Sequence, residues 1–237
     1  MKTLRTSANS YSIYYRRNLP HIHPVDRIFF ITFRLAFSLP MHVVIRLKKE
    51  MKRDLNLIEK RQGDKKFKNL KYKLYISYFQ KFDNMLAKNR AGPLWLKNPV
   101  VATAVVNRIH FFDRKRYRLI SYCIMPNHVH LLIDITSFDL WNVISHSGCT
   151  KNYPLTDSMR LLKGSTARLC NIILKRSGPF WHHESYDHYV RNERELFRIV
   201  QYMQNNPVKA GLVRKKSEWK YFYLTNELSL WIEIKDM

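Results

Sequence analysis

The sequence has few cysteines and no long apolar run. Its 237 residues include three cysteines, Cys123, Cys149 and Cys170, which are odd in number and widely spaced. They give neither a disulfide framework nor a zinc motif, and so fit a reducing cytoplasm. No apolar run approaches the length that spans a membrane, and no N-terminal apolar segment with a cleavage site is visible. We therefore expect neither a secreted disulfide scaffold nor a membrane-spanning protein.

Acidic residues are also scarce. The 18 Asp and Glu face 42 Lys and Arg, so the formal net charge is +24. An excess of this size predicts a polyanionic partner, with nucleic acid as the first candidate and an anionic membrane surface as the alternative. Apolar residues make up 46% of the chain and aromatic residues 14%, which is enough to build a core and excludes wholesale disorder.

The apolar patterning predicts an α+β fold in which helices cover one face of an antiparallel sheet. Residues 28–35, 117–125 and 128–135 have the pattern of strands, and 180–190 that of a loop entering a strand. Helical patterns cover 41–87 with a break at Gly63-Asp64, then 100–112, 158–176 and 192–205, the last ending before Pro207. We divide the chain into a basic N-terminal arm (1–24), one domain (25–220) with a helical insertion at about 41–112, and a C-terminal tail (221–237). Residues 136–157 are expected to form a loop.

Two histidines on one predicted strand form the first half of a candidate site. His128 and His130 follow the turn at Pro126-Asn127 and are separated by one apolar residue. Alternate side chains of a strand share a face, so both imidazoles point the same way and can bind a metal. His21 and His23 have the same spacing. They lie between Pro20 and Pro24, which disfavours a central strand, and we interpret them as part of a turn.

The last predicted helix supplies the second half of the site. Tyr202 and Asn206 are four residues apart, so they stack one turn apart on the flank of its apolar stripe. If this helix packs on the histidine strand, His128, His130 and Asn206 would bind Mg²⁺ or Mn²⁺ beside a tyrosine nucleophile. Tyr186 and Tyr189 are rival nucleophiles, and each residue of the set, taken alone, is also compatible with a packing role.

Several segments resemble the IS200-type transposases, which use a single tyrosine and a His-apolar-His (HUH) motif. The first is Tyr-Cys-Ile-Met-Pro-Asn-His-Val-His-Leu-Leu-Ile from Tyr122. Three others resemble the branch associated with repetitive extragenic palindromes (REP). They are Phe180-Trp181, Glu-Ser-Tyr-Asp-His from Glu184, and Tyr-Met-Gln-Asn-Asn-Pro-Val-Lys-Ala-Gly-Leu-Val from Tyr202. The motifs occur in the family's order over roughly residues 28–219.

The resemblance implies a ferredoxin-like fold that binds and cleaves single-stranded DNA near a hairpin. By position, His128 and His130 match the HUH metal ligands, Tyr202 the nucleophile, and Asn206 the third ligand. The family's reaction leaves a 5′-phosphotyrosine and a free 3′-OH. The chain departs from the family in the length of 41–112 and of 136–157. The DNA target, and assembly as a monomer or a homodimer, therefore stay open.

Basic residues of the last two predicted helices and their surroundings are candidate DNA contacts. They are Lys163, Arg168, Lys175, Arg176, Arg191 and Arg198. A transposase with these features would act in the bacterial cytoplasm, in association with the nucleoid. Two other functions stay open. One is a domesticated, non-catalytic nucleic-acid-binding protein that uses the basic face alone, and the other is a nuclease whose histidines activate water.

Overall fold

A five-stranded antiparallel sheet forms the centre of the molecule. The computed structural model describes residues 12–16, 20–24, 27–59, 65–89, 91–136 and 154–229. The strands are β1 (Ser12–Arg16), β2 (Pro20–Pro24), β3 (Ile28–Leu35), β4 (Arg118–Ile124), β5 (His128–Asp134), β6 (Trp181–Tyr189) and β7 (Phe222–Leu224). The helices are α1 (Met41–Glu59), α2 (Lys65–Lys88), α3 (Pro99–Phe112), α4 (Pro154–Ile173) and α5 (Glu193–Lys209). Short 3-10 helices span Trp95–Lys97 and Lys216–Glu218.

The strand order is that of a ferredoxin-like fold with one added edge strand. The sheet runs β6-β3-β5-β4-β7, and every neighbouring pair is antiparallel. The sequence of elements β3-α3-β4-β5-α4-β6 is the ferredoxin-like arrangement, with β3 and β5 at the centre. The predicted α+β, ferredoxin-like fold is confirmed.

Each face of the sheet packs on helices, whereas the sequence predicted a cover on one face. The larger core joins Phe33 and Val129 to Val105 of α3 and Leu162 of α4. The smaller core, on the opposite face, is built from Phe30, Cys123 and Leu132 of the sheet, Phe79 of α2, and Leu196, Ile199, Val200 and Met203 of α5. The helices on this second face form one side of the candidate site, because His128 and His130 lie on the face that α2 and α5 cover.

Helices α1 and α2 form a hairpin inserted between β3 and α3. They pack on each other through Leu47, Met51 and Tyr78. The predicted break at Gly63-Asp64 lies outside the described residues. Helix α3, which the sequence division placed within the insertion, belongs to the larger core. The α1–α2 hairpin is therefore the part of 41–112 that is added to the ferredoxin-like arrangement.

Both chain ends contain strands where the sequence predicted an arm and a tail. Within 1–24, β1 and β2 pair as an antiparallel hairpin with Tyr14 opposite Ile22. Pro20 and Pro24 stand at the two ends of β2, where a missing N–H group is tolerated. His21 and His23 therefore lie on a strand and not in the predicted turn, and this hairpin forms its own two-stranded sheet. Within 221–237, β7 pairs with β4, so this segment closes the sheet edge.

Two helix boundaries differ from prediction. Helix α5 continues through Pro207 to Lys209, and Ala210 N donates to Asn206 O at 2.9 Å. Proline lacks the N–H group for one backbone hydrogen bond and crowds the preceding turn, and the helix accommodates it close to its C-terminal end. Helix α4 begins at Pro154, so the end of the predicted loop 136–157 is helical, and 137–153 lie outside the described residues. The described helices include none that is long and apolar enough to cross a membrane.

Candidate active site

Strand β5 presents both predicted histidines on the α5 face of the sheet. His128 pairs with Arg34 of β3, and His130 pairs with Thr32. Both imidazoles are fully buried, while Val129 between them packs in the larger core on the other face. The two-residue period of the strand therefore separates the imidazole pair from the apolar residue, as the sequence predicted.

Helix α5 brings Asn206 and Tyr202 to the same place. Asn206 Nδ2 lies 2.6 Å from His130 Nε2, and the Tyr202 ring centroid is 5.6 Å from that of His130. Asn206 is 3% exposed, and Tyr202 is half-buried against the smaller core. A rotation of the carboxamide would put its oxygen where the nitrogen stands, so Asn206 can offer either atom. The four residues predicted from sequence thus converge.

A fifth residue, Asp83 of α2, was missed by the sequence interpretation. Its carboxylate is 2% exposed and lies among the other four side chains. Asp83 Oδ2 accepts hydrogen bonds from the Tyr202 hydroxyl and from Asn206 Nδ2, the latter at 3.1 Å. The sequence carried a usable signal. Asp83 is the only acidic residue of α2 and stands four residues after Phe79 and three before Leu86, on the buried stripe of the helix.

Three donor atoms face one another at distances suited to a metal ion. His128 Nε2 and His130 Nε2 are 3.2 Å apart, and each is 3.4 Å from Asp83 Oδ1. Asp83 Oδ1 is buried without a hydrogen-bond partner. Ligands about 2.0–2.2 Å from one ion are separated by roughly 3.0–3.5 Å, so the triangle fits a single metal. A set of two imidazoles and one carboxylate is typical of divalent transition-metal sites.

The second ring nitrogen of each histidine is held by a polar neighbour. His128 Nδ1 lies 2.7 Å from Asn127 Oδ1, and His130 Nδ1 lies 2.7 Å from Thr32 Oγ1. Asn127 Nδ2 also donates to Leu86 O of α2 at 2.9 Å. These contacts fix the ring orientations, with both Nε2 atoms directed towards Asp83. Such outer contacts typically support metal-ligating histidines.

Replacing Thr32 by valine should weaken metal binding while preserving the fold. Valine keeps the shape of the side chain but removes the hydroxyl that holds His130 Nδ1. We expect the affinity for Mn²⁺ to fall by roughly 10–100-fold. Isothermal titration calorimetry would measure this. Thr32→Ser retains the hydroxyl and serves as the control, and equal affinities of the valine and serine proteins would contradict the assignment.

Burial controls the protonation of the histidines. Burial lowers the pKa of His128 to about 3, with Asp83 opposing the shift and His130 adding to it. The pKa of His130 is lowered for the same reason, again opposed by Asp83. Both imidazoles are therefore neutral at pH 7 and can offer lone pairs to a metal.

The pKa values of Asp83 and Tyr202 are shifted in opposite directions. Burial acts to raise the pKa of Asp83, but His130, His128 and the hydrogen bonds from Tyr202 and Asn206 outweigh it and hold the pKa below its ordinary value. Burial, followed by the negative charge of Asp83, raises the pKa of Tyr202 well above its ordinary value. Tyr202 is thus a neutral phenol that donates to an ionised carboxylate in this arrangement.

The two rival tyrosines have different surroundings. Tyr186 shares the histidine face, and its ring stacks on Phe79 with centroids 4.2 Å apart. Tyr189 packs against the larger core on the opposite face. Among the three, Tyr202 is the one whose hydroxyl is hydrogen-bonded to Asp83.

Some of the predicted DNA contacts are engaged within the protein. Lys163 Nζ donates to the carbonyl oxygens of His182 and His183, both at 2.9 Å. Arg176 lies 4.0 Å above the Trp95 ring. These positions fix the start of β6 and the end of α4, and a role of either side chain in DNA binding stays a prediction.

The other predicted contacts are at the surface. Arg191 is exposed and also lies over the Tyr72 ring at 3.1 Å. The remaining three exposed side chains are Arg168, Lys175 and Arg198. They lie on or next to α4 and α5, and their contribution to DNA binding also stays a prediction.

Comparison with known proteins supports the resemblance found in the sequence. No protein-family model matches the chain. Over 106 residues, or 44% of this chain, it is 26% identical to a Haemophilus influenzae protein with the provisional name REP-associated tyrosine transposase. The chain is similar to REP-associated tyrosine transposases. It spans 57% of the length of that relative.

Two solved structures are also similar. One is a REP-associated tyrosine transposase bound to a REP hairpin, with 14% identity, coverage of 92% of this chain and 82% of the other, and a TM-score of 0.46. The other is a provisionally named transposase from Deinococcus radiodurans, with 14% identity, coverage of 87% and 98%, and a TM-score of 0.27.

Proposed function

We propose that this protein is a metal-dependent DNA strand transferase that cleaves single-stranded, hairpin-forming DNA with Tyr202 as the nucleophile. The observation that carries the proposal is the convergence of Asp83, His128, His130, Asn206 and Tyr202 in one buried cluster. The net charge of +24 favours a polyanionic substrate, and the name of the H. influenzae relative agrees with a REP-type target.

The metal would be held by His128, His130 and Asp83, with the Asn206 carboxamide as a fourth donor. When bound, a divalent ion would polarise the scissile phosphate and neutralise charge in the transition state. The mixture of imidazole and oxygen donors favours Mn²⁺ over Mg²⁺, because Mg²⁺ prefers oxygen ligands. This set adds Asp83 to the three ligands predicted from the sequence.

In the proposed reaction the Tyr202 oxygen attacks the phosphorus atom. A bond forms between that oxygen and phosphorus, and the bond from phosphorus to the 3′ oxygen of the preceding nucleotide breaks. The proton leaves Tyr202 along its existing hydrogen bond to Asp83 and finally resides on the departing oxygen, which becomes a free 3′-OH. The covalent 5′-phosphotyrosine retains the energy of the phosphodiester for strand joining.

The fate of each DNA end tests this proposal against its alternatives. The protein is incubated with Mn²⁺ and a pool of single-stranded hairpins with varied flanks, labelled at either end. We expect the 3′-labelled strand to become covalently attached to protein on a denaturing gel, and the 5′-labelled strand to yield a free shorter product. A hydrolytic nuclease would release both fragments, and a non-catalytic protein would bind the pool without cutting it. Either result would contradict the proposal.

The expected cellular setting follows from the same proposal. A single-strand DNA transferase would act in the bacterial cytoplasm at the nucleoid, and a homodimer is one assembly in which it could work. Size-exclusion chromatography with light scattering, with and without hairpin DNA, would determine the assembly.

A further inference from the structure

The candidate active site is closed to a nucleic acid in this conformation. Asp83 is 2% exposed, Asn206 is 3% exposed, and both histidines are fully buried. The hydroxyl of Tyr202 is already hydrogen-bonded to Asp83. A phosphodiester must touch the Tyr202 oxygen and a metal at His128 and His130. The side chains above the site therefore have to move before DNA can react.

Helix α2 forms the part of the cover that lies directly over the site. Its Phe79 ring packs near the rings of Phe30, Tyr186 and Tyr202, with centroids 5.5, 4.2 and 6.0 Å away. Its Asp83 reaches the metal-binding histidines. The larger core contains no residue of α1 or α2 within the described part of the chain. The α1–α2 hairpin can therefore separate from the sheet without breaking that core.

Besides the hydrogen bonds of Asp83, two polar contacts outside the site fasten the hairpin to β6 and α5. The Tyr72 hydroxyl of α2 donates to Glu195 Oε1, which also lies 3.0 Å from His188 Nε2. Lys48 of α1 forms an ion pair with Glu184 at 3.4 Å. Glu195 is held in place by the Arg191 backbone N–H group, which donates to Oε2 at 2.8 Å. The Tyr72–Glu195 contact thus joins α2 to the first turn of α5, the helix that carries Tyr202.

The surface beneath α2 has the chemistry of a single-strand binding surface. Phe30, Tyr186 and Tyr202 offer ring faces or edges that Phe79 now covers. Aromatic rings on a sheet stack with unpaired bases regardless of sequence. Arg34, 5% exposed, is next to this surface on β3, opposite His128. A small cavity of about 40 Å³, bordered by Arg34, Phe79 and Tyr186, already separates α2 from the strands here.

We propose that the α1–α2 hairpin is a cover that single-stranded DNA displaces, with its bases taking the place of Phe79 against Tyr186. The contact between Tyr72 and Glu195 is the latch that keeps the cover closed. Displacement of Phe79 opens the path to the Tyr202 oxygen, while Asp83, one turn further along α2, keeps its place beside Tyr202 and the histidines. This inference rests on the proposed function, since it assigns the substrate's path to Tyr202.

Hydrogen–deuterium exchange of the full chain tests the cover without relying on catalysis. Tyr72→Phe keeps the ring under Arg191 and removes only the latch hydroxyl. We expect exchange of the α2 amides to rise by roughly 10-fold in this variant, as loss of a hydrogen bond to a charged group implies. Addition of a single-stranded hairpin should also raise exchange in wild-type α2, with α3 unchanged.

A matched substitution on the same helix controls for simple loss of helix stability. Tyr78→Phe removes a hydroxyl from a side chain that packs with Leu47 and Met51 of α1 and also borders the cavity beside Arg34, and it leaves the contact of Tyr72 with α5 intact. Its α2 exchange should match that of wild type. Unchanged exchange in Tyr72→Phe, or protection of α2 by DNA, would overturn the cover.

A reversible cross-link connects the cover to DNA cleavage. In a Cys149→Ser background the remaining native cysteines, Cys123 and Cys170, are buried. Tyr72→Cys and Glu195→Cys are then joined by a short bismaleimide with a reducible centre. We expect the cross-link to lower covalent adduct formation by at least about 10-fold, and reduction to restore it. Adduct formation at an unchanged rate while cross-linked would refute the cover. If no variant forms an adduct but DNA still raises α2 exchange, the cover holds and the assignment of Tyr202 chemistry fails.

Discussion

Replacing Tyr202 by phenylalanine should abolish the covalent protein–DNA adduct. The substitution removes one oxygen atom, and that oxygen is the atom expected to bond to phosphorus. The ring would still pack against Phe30 and Phe79, so the smaller core is preserved. Affinity for Mn²⁺ should persist, because the ligand triangle of Asp83, His128 and His130 does not include the phenol. We expect intact metal binding and no detectable adduct.

The rival tyrosines supply the controls for this experiment. Tyr186→Phe and Tyr189→Phe should each retain adduct formation, since Tyr186 stacks on Phe79 and Tyr189 faces the larger core. Mass spectrometry of the digested adduct should place the phosphate on the peptide that contains Tyr202. A phosphate on Tyr186, together with an active Tyr202→Phe protein, would reassign the nucleophile. Circular dichroism of each variant would verify that it is folded.

Local periodicity related four members of the candidate site to one another in two pairs. A strand places residues two apart on one face, which related His128 to His130. A helix stacks residues four apart, which related Tyr202 to Asn206. The helix continues through Pro207, so the geometry of the second pair is preserved beyond the boundary that proline suggested. Each pair is defined by the repeat of one element, and such relations can be read along a chain.

The same reasoning can place Asp83 on the buried stripe of α2 but cannot assign it to the site, because its role depends on where α2 docks. The sequence division placed α2 in a helical insertion at about 41–112 and assigned it no surface of the sheet. In the structure, Phe79 and Leu86 are buried and Asp83 lies between them. Periodicity gives the stripe that a helix buries but does not identify the surface that receives it. The ferredoxin-like sheet had an unassigned second face, and the position of α2 on that face is a tertiary property.

The candidate DNA contacts show a related limit. Lys163 and Arg176 are used to hold the ends of β6 and α4, whereas Arg168 and Arg198 are exposed. All are cations in similar helical surroundings, and the sequence gives no reason to rank them. Electrostatic attraction to phosphate depends on the summed charge of a surface. The amino-acid composition therefore predicts the class of partner better than it predicts which residues contact that partner.

Replacing Asp83 by asparagine should remove metal binding without destabilising the metal-free protein. Asparagine keeps the size of the side chain and an oxygen that can accept from Tyr202 and Asn206, but it carries no charge. In the wild-type protein the buried Asp83 Oδ1 has no hydrogen-bond partner, which is unfavourable in the absence of a cation. The contacts that lower the pKa of Asp83 stabilise its charge and act against this relief. We therefore expect the metal-free free energy of unfolding to change little in Asp83→Asn.

In the presence of Mn²⁺, the free energy of unfolding should be lower for Asp83→Asn than for the wild-type protein. A ligand at 100 times its dissociation constant stabilises a folded protein by about 2.7 kcal/mol. Loss of an anionic ligand should weaken Mn²⁺ binding by at least about 100-fold, more than loss of an outer contact, so most of this stabilisation disappears. Urea unfolding in EDTA and in Mn²⁺ would measure both quantities, and adduct formation should fall in parallel.

Asp134→Asn is a control that should change the stability of the metal-free protein but not its metal binding. It is a buried acid on the same strand as the histidines, but its carboxylate is paired with Arg118 at 2.9 Å, outside the candidate site. Asp134→Asn should lower the free energy of unfolding of the metal-free protein, because it breaks a charged hydrogen bond. The additional stability that Mn²⁺ provides should be unchanged, because Asp134 contacts none of the proposed metal ligands. If Mn²⁺ instead stabilised Asp83→Asn as much as wild type, the ion would be held by His128, His130 and Asn206 alone, as the sequence first indicated, and Asp83 would serve only to hold Tyr202.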